Sequence, residues 1–180
     1  MTAPDPQNVP RNPLSRHTSR LCVCRLRETP SGDLAARMTP RYLVTLGFSL
    51  LLGMGSLVAL FALLRRGEKM GAAVAGGFAA FYLGFALLAF RGTRSRMTFF
   101  DRNAGVFRRR GGETICRLDR IAAIQLLPPG EWRNAEINLV LSDGTRHHVL
   151  AFPNEETMKP EAEKLSRWLG GTPIWPNGGL

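Results

Sequence analysis

The chain has 180 residues, a formal net charge of +10 and a mean hydropathy of −0.07. That near-neutral average hides two strongly apolar stretches diluted by polar flanks, which excludes a uniformly soluble design. The basic excess would suit nucleic acid, but no helix-turn-helix, zinc-finger or aromatic–basic ribonucleoprotein pattern accompanies it, so nucleic acid is not an expected partner.

Met1 to Pro40 is rich in Pro, Arg, Ser and Thr and poor in large apolar residues. Such a segment buries too little apolar area to offset chain entropy, which predicts a disordered tail over 1–40. Leu21–Leu26 alternates weakly and reads as local residual structure or a short strand. The tail is not expected to be a secretory signal, since the first apolar run follows Pro40, is too long and lacks an A-x-A exit. Cys22 and Cys24 form a C-x-C without a second pair. With Cys116 they read as reduced thiols, not a zinc framework.

A transmembrane helical hairpin is predicted over 41–91. Tyr42–Leu64 and Gly71–Phe90 contain no charged residue, and each is long enough for a bilayer core that needs about 20 apolar residues. Arg65–Met70 joins them. Pro40 suits a helix start, and Tyr42 suits a membrane interface. Polar atoms within the spans are those of Thr45, Ser49, Ser56 and Tyr82, and the three aliphatic hydroxyls can bond back to helix carbonyls. With no Asp, Glu, Lys, Arg or His at membrane depth, a pump or coupled transporter is not expected. Arg25, Arg27, Arg37 and Arg41 precede the first span, and Arg91, Arg94, Arg96, Arg102, Arg108, Arg109 and Arg110 follow the second. The positive-inside rule then predicts both termini in the cytoplasm. Ala72, Gly76, Ala80 and Gly84 recur every four residues as a small-residue ridge on which another helix backbone can dock. Ser49, Gly53 and Ser56 offer a matching face within the hairpin; the alternatives are a second copy or another membrane protein.

After the hairpin the periodicity shifts towards two, which predicts strands at Met97–Phe100, Val106–Arg110, Thr114–Leu118, Ala122–Leu127, Glu136–Leu141 and Thr145–Phe152. Asp101–Gly105 and Gly111-Gly112 read as turns, Asp119-Arg120 as a helical turn, and Ser142-Asp143-Gly144 as a tight hairpin turn. In the last strand, simple alternation puts Arg146, His148, Leu150 and Phe152 on one face and Thr145, His147, Val149 and Ala151 on the other. A helix follows, with Met158, Ala162, Leu165 and Leu169 on its apolar side, Trp168 in the core, Pro160 in its first turn and Gly170-Gly171 at its end. The expected fold class is α+β: a transmembrane helix pair, then a small antiparallel barrel or sheet closed by a carboxy-terminal helix over 97–176, as in pleckstrin-homology (PH)-like domains.

FFDRNAGVFRRR, LDRIAAIQLL, INLVLSDGTR and EAEKLSRWLGGTPIW resemble bacterial two-span membrane proteins with a PH-like cytoplasmic domain, over roughly Tyr42–Trp175. A more distant similarity is to the photosystem I assembly protein family, carried by Phe100, Asp101, Gly105 and Arg108, then Glu161, Ala162, Leu165, Leu169 and Pro173. That family's stretch between the first strands is longer than RRRGGETICR. The resemblances imply a bacterial inner-membrane location and a tethered platform for subunit assembly; a photosynthetic target is not implied.

No catalytic signature or cofactor motif is present: His147 and His148 point to opposite faces of a strand, and Asp101, Asp119 and Asp143 sit in turns that favour Asp. A non-enzymatic protein is therefore expected, binding another membrane protein or a second copy of itself. The alternative is an anionic-lipid sensor, in which Arg91, Arg94, Arg96, Arg108, Arg109 and Arg110 contact headgroups. Trp132 and Trp175 are candidates for an interface or for covering an open end of the sheet.

Overall fold

The computed structural model describes residues 4–14, 24–94, 97–109, 112–130 and 134–176. His17, Cys22, Arg96, Arg110 and Trp132 lie outside them. The chain divides into two units, a helical one over Pro40–Ser95 and a β unit from the segments on either side.

In the helical unit, α1 (Pro40–Arg65) and α2 (Lys69–Arg94) form an antiparallel pair. Both helices are long and apolar enough to cross a membrane. Only 11% and 17% of their apolar windows are buried, whereas the core helix of a soluble domain would be mostly covered. Gly67, at φ +77°, ends α1: its N–H reaches the Leu64 carbonyl, and the Glu68 N–H reaches that of Leu63. The hydroxyls of Thr45, Ser49 and Ser56 bond back to the carbonyls of Arg41, Thr45 and Leu52 at 3.0, 3.0 and 2.8 Å. At the other end of the pair, Tyr42 Oη donates to the Ala89 carbonyl at 3.0 Å.

In the β unit, β1 (Cys24–Glu28), β2 (Leu34–Met38), β3 (Thr98–Asp101), β4 (Val106–Arg109) and β5 (Thr114–Arg117) form an antiparallel meander. The second sheet has the order β8 (Arg146–Phe152), β7 (Ala135–Leu141), β6 (Ile121–Leu127) and β9 (Ile174–Trp175), with only β9 parallel to its neighbour. The sheets do not close into a barrel. Their inner faces share one core with α3 (Glu155–Trp168), and Leu34, Phe100, Phe107, Ile137, Phe152 and Leu165 have little or no exposed surface there. Asn154 caps α3 by accepting the Thr157 N–H at 3.0 Å. The helix starts earlier than its apolar period suggested, so Pro160 lies inside it, not in its first turn.

The expected disordered tail is corrected by the β1–β2 hairpin, which supplies two strands of the meander and core residues Cys24, Leu26, Leu34 and Ala36. Leu34 faces Phe100 across β2 and β3, an apolar pairing available only in the folded sheet. The helical pair therefore occupies the connection between two paired strands. β1 is an edge strand, and α3 satisfies its backbone at Leu26. Glu161 accepts the Leu26 N–H at 2.8 Å, and Lys164 Nζ donates to the Leu26 carbonyl at 2.8 Å. Edge groups left bare would template pairing with another chain.

Candidate functional site on the outer face of the second sheet

A register shift decides what this face carries. Leu150 pairs with Ile137 and His148 with Asn138, so Val149 is an extra residue in β8. The bulge breaks the alternation expected for this strand. Leu150 and Phe152 join the core, while His148 and Arg146 pair with Asn138 and Val140 on the outer side. The four residues assigned to one face by period-two reading are thus divided between two.

The outer face then presents Gln125 from β6, Glu136 and Asn138 from β7, and Arg146 and His148 from β8. Gln125, Glu136 and Asn138 are buried, which is unusual for polar groups on the outside of a sheet. Residues 4–14 provide part of the cover. The Leu14 N–H donates to Glu136 Oε2 at 2.9 Å, and Gln125 Nε2 donates to the Pro10 carbonyl at 3.3 Å. Val9 is buried against Ala123, Val140 and Trp175. Within the face, Asn138 Nδ2 donates to Glu136 Oε2 at 3.5 Å, and Arg146 Nη1 donates to Gln125 Oε1 at 3.2 Å. His148 Nδ1 lies 3.3 Å from Asn138 Oδ1 and 4.0 Å from Glu136 Oε2. Burial pulls the Arg146 guanidinium below its ordinary range, and the Glu136 carboxylate opposes that pull.

Residues 4–14 are thus held through one N–H given to an acceptor, one carbonyl that accepts from a donor, and one aliphatic side chain seated beside the Trp175 ring. Sequence reading missed Gln125, Glu136 and Asn138. Their signal is three polar residues in strands otherwise apolar on both faces, including the run Ala135–Leu141 that is buried throughout. Trp175 falls on this face, Trp168 is buried in the core, and Leu169 packs at the core's margin.

The residues named from sequence fall in both units. Arg108 Nη2 is 3.4 Å from Asp101 Oδ2, while its buried Nε has no hydrogen-bond partner among the described residues. Arg109 is exposed on β4, and Arg91 is exposed on α2 in the other unit. Arg94 is the last residue of α2. In the helical unit, Ala72, Ala79 and Ala86 are buried at a seven-residue spacing. A Cβ on Gly76 would meet Leu60 at 3.7 Å, and one on Gly53 would meet Leu83 at 2.7 Å. Ala80 is exposed and Gly84 faces open space, because a strict four-residue step drifts about 40° per repeat around a helix of 3.6 residues per turn. The ridge is therefore divided, with Ala72 and Gly76 in the helix contact and Ala80 and Gly84 away from it.

His147 sits opposite Leu139, where burial first and then Arg109 hold its imidazole below the usual range. Cys24 and Cys116 are buried on β1 and β5, and desolvation pushes the Cys116 thiol up to about 11. Among the described residues, no three of His, Cys, Asp and Glu gather as a metal-ligand set. No protein-family model and no curated protein matches the chain.

Proposed function

We propose that the chain is a non-enzymatic interaction module of the bacterial inner membrane. Its helical pair crosses the bilayer, and its β unit lies in the cytoplasm and binds an extended segment of another membrane protein. The observation that carries this reading is the seating of residues 4–14 on the outer face of the second sheet through the Leu14 N–H, the Pro10 carbonyl and the Val9 side chain. That segment acts as a resident ligand, and a partner segment with a similar donor, acceptor and small apolar side chain competes for the same face. The exposed apolar surface of the helices supports membrane insertion. The β2–β3 pairing supports an even number of crossings, since strands on either side of the helical pair share one sheet. The arginine flanks favour the cytoplasmic side for that sheet.

The test uses the chain lacking residues 1–14, in nanodiscs, titrated with a synthetic peptide copying residues 4–14. Binding in the high-micromolar to millimolar range is expected, as for a contact normally made intramolecularly, and Glu136→Ala in the truncated chain should abolish it. A peptide that leaves the truncated chain unchanged sinks the reading. For topology, Cys116 is too buried to report on sidedness. Glu68→Cys and Glu113→Cys, both at exposed positions, should respectively accept and refuse an impermeant thiol reagent in spheroplasts.

A further inference from the structure

The β unit has a second feature, at the end of the five-stranded sheet away from the helix connections. The chain leaves for α1 after Met38 of β2 and returns into β3 at Thr98, whereas Glu28 and Arg102 sit at the opposite strand ends. There, Glu28, Arg102, Lys164, Arg167 and Trp168 line an open recess of about 660 Å³.

Its walls are held by contacts that need no ligand. Trp168 Nε1 donates to the Gly32 carbonyl at 2.9 Å, which ties α3 to the β1–β2 turn. The buried Asp33 carboxylate accepts the Arg102 N–H at 2.9 Å and the Ser31 hydroxyl at 2.5 Å, which ties that turn to the β3–β4 turn. The Arg102 guanidinium lies 5.4 Å from the centroid of the Trp168 ring. Lys164 spends one hydrogen on the Leu26 carbonyl and keeps two. Among the described residues, none of Arg102, Lys164 and Arg167 is in an ion pair. The lining carries three cations and the one carboxylate of Glu28, and with the Asp33 carboxylate behind Arg102 included the balance is still positive, the sign that a phosphate group pairs with. Two planar guanidinium forks and one ammonium suit a tetrahedral oxyanion better than a single carboxylate.

We propose that this recess is an anion site for a phosphate group, with Arg102 and Arg167 gripping the oxyanion, Lys164 adding a point charge and Trp168 forming the floor. The site is separate from the peptide face.

The test is calorimetric titration of the full chain in neutral-lipid nanodiscs with inorganic phosphate and with pyrophosphate. Saturable binding is expected, tighter for pyrophosphate. Arg102→Ala and Arg167→Ala should each weaken it about tenfold; the Arg102 contact to Asp33 is made by backbone and survives the substitution. Glu28→Gln should tighten binding about two- to fivefold, an opposite sign that misfolding does not produce. Arg117→Ala, which removes a cation from β5, should leave it unchanged. Binding that ignores the Arg102 and Arg167 substitutions, or falls equally with Arg117→Ala, overturns the site. Repeating the titration in anionic nanodiscs distinguishes the sources of the phosphate: retained pyrophosphate binding assigns a soluble ligand, and its loss, with headgroups filling the recess, a lipid one.

Discussion

In the β unit, Phe100, Phe107 and Phe152 have no exposed surface, whereas in the helical unit Val44, Leu51 and Leu88 expose 71%, 72% and 72% of theirs. The β unit covers its apolar side chains with its own sheets and α3. The helical unit covers only the seam between two helices and presents the rest outward. Apolar side chains are therefore covered by the chain itself in one unit, whereas in the other they are left outward on two helices long and apolar enough to cross a membrane. Stability in the β unit should be sensitive to side-chain volume at most core positions, and in the helical unit only along the seam.

The largest expected effect follows from that contrast. Phe100→Ala removes a ring packed on Phe107 and Trp168, at centroid distances of 4.5 and 5.9 Å. Chemical denaturation should show a loss of about 3–5 kcal/mol. Leu51→Ala, on an outward helix face, should stay within about 0.5 kcal/mol. Similar losses at both sites would erase the distinction between the units.

Next in size is an alkaline effect confined to the β unit. Burial raises the Cys116 thiol to about 11 from an ordinary 9.0. The unfolded chain then deprotonates first. The stability associated with the neutral thiol is fully present below pH 9 and is lost as pH rises towards 11, by about 2–3 kcal/mol. Cys116→Ala should flatten that part of the stability–pH curve, and an unchanged slope would show that the thiol is not desolvated.

The seam is tested by Gly53→Val, because a Cβ there would stand 2.7 Å from Leu83. A loss of about 1–3 kcal/mol is expected in steric-trap or thermal measurements on the helical unit. Gly55→Val, which meets nothing within 4 Å, serves as the control. Equal effects would mean that the helices pack through another face. The smallest effect is at a helix end: Asn154→Ala deletes the cap on Thr157 and should cost about 1 kcal/mol. A neutral result there would show that α3 is held by its buried face alone.

Much of this architecture is legible from the chain. Uncharged runs, turn glycines and the 3.6-residue period of Met158, Ala162 and Leu165 are local signals, and the helical pair, the Asp143-Gly144 hairpin and α3 follow from them. The β1–β2 hairpin is not legible in that way, because its weak alternation becomes a strand pair only when Leu34 meets Phe100 from beyond the helices. The outer-face site is hidden for a related reason. One extra residue at Val149 rotates His148 and Arg146 away from the core, and a bulge is chosen by the partner strand, not by the strand's own sequence. The recess at the far end of the first sheet gathers Glu28, Arg102 and α3 residues from three distant parts of the chain. Local periodicity by itself determined the helices and the strands from Thr98 to Phe152, since those depend on near neighbours in sequence. Which polar groups meet, which arginines stay unpaired and where the first residues lie were decided only by tertiary packing, which sets distances between residues that the sequence keeps far apart.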